Sequence, residues 1–288
     1  MNILVTGATG NTGLALIAHL SRFGDNVNII AGVRDSEKAK AQYSSLQEIE
    51  CREFDFEKID TFESAFSGID LVFLLRPPHI SKIKRYFEPL ISKMTSMGIQ
   101  KVVLLSVQGA EKTKIIPHRK IELLIIEYGL DYICIRPSYF MQNLTTTLYP
   151  EIKRDRTITL PSGEAEFNWI DVDDIARLGA QLILSFEKYK NRAFTVTGNQ
   201  NLSFPQVASI IRKVAGVDIT YKSVHPLKYF IKKKREGVKI PMIIVMLVLH
   251  FLPRIQGKPE IVKTYKELLH CEPRTVEEFV ELHKREFQ

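Results

Sequence analysis

Three glycines, Gly7, Gly10 and Gly13, stand with two residues between each, directly after the apolar run Asn2–Thr6 and just before Leu14-Ala15-Leu16-Ile17. A strand that turns tightly into a helix lays bare the helix's first N–H groups, and their partial positive charge holds a pyrophosphate. Gly7 permits the turn, Gly10 lets backbone approach the phosphates, and Gly13, with no Cβ, lets the helix pack close to the sheet. Gly7, Thr9, Gly10, Asn11, Thr12 and Gly13 are therefore candidates for holding a dinucleotide. About twenty residues past such glycines lies the position that meets the adenosine ribose, acidic for a free 2′-hydroxyl and Arg for a 2′-phosphate. Here the run is Ala31-Gly32-Val33-Arg34-Asp35. Arg34 is the residue placed to fork onto a phosphate, unless it is an ordinary surface charge, and Asp35 reads as the cap of a helix starting at Ser36. NADP (as NADPH) is the expected cofactor and NAD the lesser alternative. Asp55 and Phe56, after the third strand, would lie beside the adenine. Asp55 can accept from the exocyclic amine, and Phe56 either covers a ring face or fills the core.

Strand-like runs recur at Asn2–Thr6, Val27–Val33, Glu50–Phe54, Leu71–Leu75, Lys101–Ser106 and Tyr132–Arg136. Helical patterns separate most of them, at Leu14–Phe23, Ser36–Tyr43, Thr61–Phe66, Ile80–Met97 and Pro117–Tyr128. Near-continuous apolar strands alternating with helices mean an α/β fold of Rossmann type, a doubly wound parallel sheet covered on both faces. Residues 1–150 are expected to form this core. Residues 151–288 are expected to form a smaller, mostly helical lobe on the substrate side, with a segment near 165–200 returning to the core sheet. In that second part Thr157–Leu160 reads as an edge strand, and Asp173 or Asp171 as the N-cap of a helix running to about Ser185. Ser203 reads as the N-cap of a helix with Pro205 in its first turn.

Apolar content of 45% and charged content of 25% are ordinary for a soluble globular protein. The first residues read as a strand with no basic segment or cleavable apolar stretch, so no signal peptide is expected. Three cysteines, far apart and with no CxxC, point to a reducing compartment, the cytoplasm, and away from disulfides and zinc. The seven histidines lack metal spacing, so no metal is implied. A net charge of +7 raises nucleic acid as a partner. The main cluster, Lys232-Lys233-Lys234-Arg235, has no aromatic interleaving, however, and reads as a solvated helix face. The most apolar segment, Met242–Leu252, lies between Pro241 and Pro253 and is interrupted by His250. It is too short to span a bilayer, which takes about 20 residues. It is expected to be a buried helix or, failing that, a loose helix contacting an apolar ligand or a subunit partner.

With these stretches in view the chain resembles the NmrA-like, atypical members of the extended short-chain dehydrogenase/reductase superfamily. The resemblance rests on Val5-Thr6-Gly7-Ala8-Thr9-Gly10-Asn11-Thr12-Gly13, Ala31-Gly32-Val33-Arg34, Asp55-Phe56 and Leu104-Leu105-Ser106-Val107-Gln108-Gly109-Ala110. It continues through His118-Arg119-Lys120-Ile121-Glu122, Ile135-Arg136-Pro137-Ser138-Tyr139-Phe140-Met141-Gln142-Asn143, Asp173-Asp174-Ile175-Ala176 and Pro273-Arg274-Thr275-Val276-Glu277-Glu278-Phe279. It implies either an NAD(P)H-dependent reductase of quinones and related molecules, or a regulator that binds the nucleotide without catalysis. Catalytic members of the superfamily carry Tyr-x-x-x-Lys on the helix after strand five. Counting back from Glu122, those two positions fall on Lys114 and His118, and no tyrosine occurs between Tyr86 and Tyr128.

Tyrosine-led acid catalysis is thus absent, but hydride transfer is not excluded. A quinone takes a hydride with little need of a strong acid, so holding donor and acceptor in contact suffices. His118 is a candidate acid or ribose-holding residue, or else a surface residue at a helix start. Around the nicotinamide the expected residues are Leu75 and Arg76 with Pro77-Pro78, Ser106–Gln108, and Pro137 with Ser138–Asn143. Tyr139, a second candidate catalytic residue, and Phe140 could wall a flat substrate. The expected partner is a small planar organic molecule. A homodimer or a regulatory protein partner stays open.

Overall fold

The computed structural model describes residues 1–43 and 49–288. In chain order it begins with β1 (Asn2–Thr6), α1 (Asn11–Leu20), β2 (Asn28–Val33), α2 (Ser36–Lys40), β3 (Glu50–Glu53) and α3 (Thr61–Phe66). Then come β4 (Leu71–Leu75), α4 (Ile83–Ser96), β5 (Lys101–Leu105), α5 (Pro117–Glu127), β6 (Asp131–Pro137) and β7 (Tyr139–Phe140). The middle of the chain forms α6 (Tyr149–Asp155), β8 (Thr157–Leu160), β9 (Glu166–Ile170), α7 (Val172–Leu184), α8 (Phe186–Tyr189) and β10 (Arg192–Val196). Next are β11 (Asn201–Ser203), α9 (Phe204–Ala215), β12 (Thr220–Ser223), α10 (Pro226–Arg235) and α11 (Ile240–Phe251). Four short helices close the chain: α12 (Pro253–Gln256), α13 (Thr264–Leu269), α14 (Val276–Leu282) and α15 (Lys284–Phe287).

Two compact units emerge. Met1–Pro137 and Val172–Val196 form the first, and Ser138–Asp171 with Thr197–Gln288 form the second. The division falls after Pro137 rather than at 150, and only Val172–Val196 of the 165–200 segment belongs with the first unit. Glu166–Ile170 instead pairs within the second unit, where β9 joins β7 and β11.

In the first unit seven strands lie in the order β10-β6-β5-β4-β1-β2-β3, every pair parallel. This is the Rossmann-type doubly wound sheet expected from the alternation of apolar runs and helices. The inner strands β1, β4 and β5 consist almost wholly of Val, Leu, Ile and Phe because helices cover both their faces. On one face Phe54, Phe62, Phe66 and Phe87 build the core with Leu74 and Ile91. On the other, α1 packs on α7, and His19 meets Asp173 at 2.8 Å. The chain order reverses between β1 and β4, the switch point at which open α/β sheets take ligands. α1 starts at Asn11, earlier than the Leu14 suggested by apolar period, because its first turn packs on the glycine loop rather than on the core.

The second unit holds the three-stranded sheet β11-β9-β7 and the pair β12-β8, so Thr157–Leu160 is a strand that pairs with β12. Trp169, Phe204, Tyr229 and Phe279 fill its core. Ser203 caps α9 through a capping box with Gln206. One expectation fails here. The apolar helix α11 is not buried as a whole: Ile243, Met246 and His250 are buried along one face and Leu247 is partly buried beside them. A helix twelve residues long, apolar all round, cannot hide every face against one packing surface.

Candidate functional site

β1 pairs with β2 along its whole length but with β4 only from Ile3 to Val5. At the next step the Thr6 hydroxyl replaces the ladder, accepting the Leu75 N–H at 2.9 Å and donating to the Phe73 carbonyl at 3.1 Å. The two strands therefore part at their carboxyl ends with the Leu75 N–H and the Phe73 carbonyl still satisfied by the Thr6 hydroxyl. Gly7 turns the chain there with φ +63°, and a Cβ on it would meet Leu75 Cδ2 at 3.0 Å. The Gly10 N–H closes the turn onto the Gly7 carbonyl at 3.0 Å.

Gly10 is the N-cap of α1. No side chain caps the helix, and its first turn carries no acidic residue. Its leading N–H groups thus have no side-chain cap and the positive end of its dipole no acidic neighbour in the first turn, which is what an anion requires. A Cβ on Gly10 would meet only the Gly7 carbonyl, at 3.3 Å, so the space before the helix is open. A Cβ on Gly13 would lie 2.3 Å from that carbonyl and 2.7 Å from Ala8 Cα. Gly13 is therefore required by the loop that follows β1, not by the sheet beneath. Thr9 and Asn11 are exposed beside Gly10, while Thr12 is buried.

Arg34 closes β2 as an exposed residue whose side chain makes no hydrogen bond or ion pair with another described residue. Its neighbour Asp35 is occupied as the cap of α2, accepting from the Lys38 N–H at 3.1 Å. Asp55 sits in the turn after β3 and accepts from the Glu57 N–H at 3.0 Å. Of the two roles open to Phe56, its contacts are those of the core: the ring is buried, edge-on to Phe54 at 4.9 Å and 5.2 Å from Phe87.

At the end of β4, Arg76 holds the Pro77-Pro78 loop. Its Nη1 donates to the carbonyls of Pro77, Pro78 and Ile80 at 3.0, 3.1 and 2.7 Å. Its Nε donates to His118 Nε2 at 3.4 Å. Burial, with the Arg76 charge alongside, pushes the His118 pKa down to about 3 against the pull of Glu122. The imidazole is therefore neutral near pH 7 with one nitrogen engaged. Of the two roles read from the sequence, a neutral ring suits the holding of a ribose better than the giving of a proton.

Behind it lies a carboxylate that the sequence reading did not single out. Glu122 is buried and accepts from Ser106 Oγ at 2.6 Å, Arg119 at 2.7 Å and Arg136 at 2.9 and 2.8 Å. Burial raises its pKa, but the hydrogen bonds from Arg136, Ser106 and Arg119 outweigh that and hold it below the usual carboxylate range. The Ser106 hydroxyl is thus taken up inside the fold, and its N–H is donated to the Ile135 carbonyl at 2.7 Å. The available signal was a charged residue one step from Ile121 and three from Ile125, within the inward stripe of α5. Pro137 accepts from the Gln108 N–H at 2.9 Å, which ties the loop after β5 to the end of β6.

In the second unit Tyr139 packs on Trp169, Phe167 and Phe204. Its hydroxyl lies 3.0 Å from His250 Nε2, while His250 Nδ1 lies 2.7 Å from the Met246 carbonyl. A carbonyl can only accept, so Nδ1 carries the proton and Nε2 takes the one from Tyr139. Burial raises the Tyr139 pKa and pushes His250 down to about 4. Tyr139 is consequently a poor proton donor to anything else, and its ring is committed to this aromatic cluster. The same unit buries Asp171 against Gln142 Nε2 at 2.6 Å and against Arg274, a pairing across distant segments that the sequence reading missed.

With this geometry in place, three comparisons bear on the chain. A protein of Dictyostelium discoideum, Prestalk A differentiation protein A, is 29% identical over 279 residues, covering 97% of this chain and 91% of its own. The NAD(P)H azoreductase of Xenophilus azovorans is 28% identical over 232 residues, 77% of each chain. The NADPH complex of an Escherichia coli NADPH-dependent quinone oxidoreductase superposes with a TM-score of 0.85 at 20% identity, covering 97% of this chain and 99% of that one. The NmrA-like family itself matches residues 1–280, and the chain belongs to that family.

Proposed function

We propose that the protein is an NADPH-dependent reductase that passes a hydride to a quinone or a similar planar, electron-poor molecule. The observation that carries this reading is the uncapped start of α1 at the opening between β1 and β4, with Arg34, just past β2, paired to no other described residue. Backbone N–H groups of α1's first turn would hold the pyrophosphate, and Arg34 the 2′-phosphate. The bound dinucleotide supplies the hydride. Arg76 stiffens the loop after β4, and Glu122 fixes the loop after β5 through Ser106, so the chain contributes position rather than acid. A quinone suits such a site because its reduced form is aromatic and a proton from water completes the hydroquinone. A ketone does not suit it, because its developing alkoxide needs a strong acid. The azoreductase and quinone oxidoreductase relatives, whose names point to planar acceptors, support the same substrate class.

A nucleotide-binding regulatory protein is the second reading, and one observation favours it: both candidate catalytic residues, His118 and Tyr139, are already engaged. NADPH oxidation with a panel of quinones and ketones, beside a titration of NADPH and NADP, separates the two. Quinone reduction without ketone reduction is expected. Brisk ketone turnover would mean that an acid has been misplaced. Tight cofactor binding with no acceptor reduced would favour the regulator.

A further inference from the structure

The exposed side of α11 is wholly apolar. Ile244, Val245 and Val248 are 52, 53 and 55% exposed, and Ile240, Met242 and Leu249 join them. The preceding helix α10 packs beside it and shows an outward ridge of Leu227 and Ile231, 62 and 42% exposed and four residues apart. Soluble proteins seldom leave so much contiguous apolar surface without something to cover it. The charge around it says what that something is. Of the basic run on α10, Lys232 and Lys233 are neutralised by Glu151 and Glu236. Lys228, Lys234 and Arg235, on the same outward face as the Leu227–Ile231 ridge, make no ion pair with a described residue, and neither does Lys239 at the start of α11. A second copy of the chain seated here about a twofold axis would bring these cations against themselves. An anionic, oily surface meets both the cations and the apolar face.

We infer that α10 and α11 form a membrane-docking element that lays the apolar face of α11 into the interface of an anionic bilayer while Lys228, Lys234, Arg235 and Lys239 meet the lipid headgroups. The helix lies in the interface plane. Its twelve residues extend about 18 Å, against the roughly 30 Å of a bilayer core, and no helix among the described residues is long and apolar enough to cross one. This element sits in the second unit and does not depend on the proposed reaction.

The test is sedimentation of the full-length protein with vesicles of phosphatidylcholine alone and of an equimolar phosphatidylcholine–phosphatidylserine mixture. Binding to the mixed vesicles is expected, with little to phosphatidylcholine alone and a loss at high salt. Each juxtamembrane cation contributes about fivefold in partitioning, so Lys234→Glu with Arg235→Glu should reduce binding at least about twenty-fivefold. Val245→Ser with Val248→Ser, both at exposed positions that the fold does not need, should weaken binding without changing its salt dependence. No binding to the mixed vesicles, or binding by either variant as tight as that of the unaltered protein, overturns the inference. So does a dimer, seen by sedimentation velocity, that Val245→Ser with Val248→Ser dissociates while vesicles are ignored.

Discussion

Replacing Arg34 with alanine should change which nucleotide the protein prefers while leaving its stability alone. The guanidinium is exposed and bonds to no described residue, so its loss strands no partner and exposes no core. What it offers a ligand is a charge-assisted fork onto a phosphate, and hydrogen bonds to charged groups contribute about 1.5–3 kcal/mol. Exposure favours the lower half of that range, because salt screens the pair over about 8 Å. About 1.5–2 kcal/mol corresponds to about ten- to thirtyfold in NADPH affinity, with NADH affinity nearly unchanged. Asp35 does not compete for the ribose, since it is already the cap of α2. Fluorescence or calorimetric titration of both nucleotides against both proteins reads the effect, and the NADPH preference should shrink as salt rises. Equal NADPH and NADH affinities in the unaltered protein would refute the reasoning. So would an Arg34→Ala protein that loses both nucleotides alike.

The two inner glycines should fail in different ways. Gly10→Val keeps an extended backbone (φ −86°, ψ 166°) and should fold normally yet lose cofactor affinity by more than about tenfold. Gly13→Ala drives a methyl to 2.3 Å from a carbonyl and should cost about 1–3 kcal/mol or more in thermal or urea unfolding. Glu122→Gln leaves Arg136 and Arg119 short of a buried counter-charge and should cost about 3 kcal/mol in urea unfolding near pH 7; a loss under about 1 kcal/mol would contradict the buried network. Below the ordinary histidine value of 6.5 the unfolded chain takes up protons that folded His118 and His250, held down to about 3 and about 4, refuse. Stability should therefore fall as pH drops from about 6.5, by up to about 1.4 kcal/mol per pH unit for each histidine. His118→Asn should make that slope shallower, and a flat profile from about pH 7 to about pH 5 would count against both assignments.

The glycine turn and the caps at Asp35 and Ser203 were legible in the chain because each depends on residues a few positions apart, and the parallel sheet of the first unit was legible from the alternation of apolar runs with helices, though not its strand order. A tight turn needs Gly7 where φ is positive, and a cap needs an oxygen three residues before its N–H. The β7-β9-β11 sheet was not legible. Its strands are short, and β9 runs into the pattern of the next helix.

What only the tertiary structure decided is which polar groups remain available. His118 reads as an acid until Arg76, forty-two residues away, takes its Nε2. Tyr139 reads as a wall for a flat substrate until its hydroxyl is found bonded to His250, 111 residues on. Ser106 reads as a cofactor contact until Glu122 accepts from its hydroxyl. The apolar content of α11 was plain in the sequence, and its exposure was not, since burial depends on whether a second surface lies against each face. Residue type and spacing set local backbone geometry. A side chain's charge state and freedom follow from desolvation and from partners that only the folded chain brings within hydrogen-bonding distance.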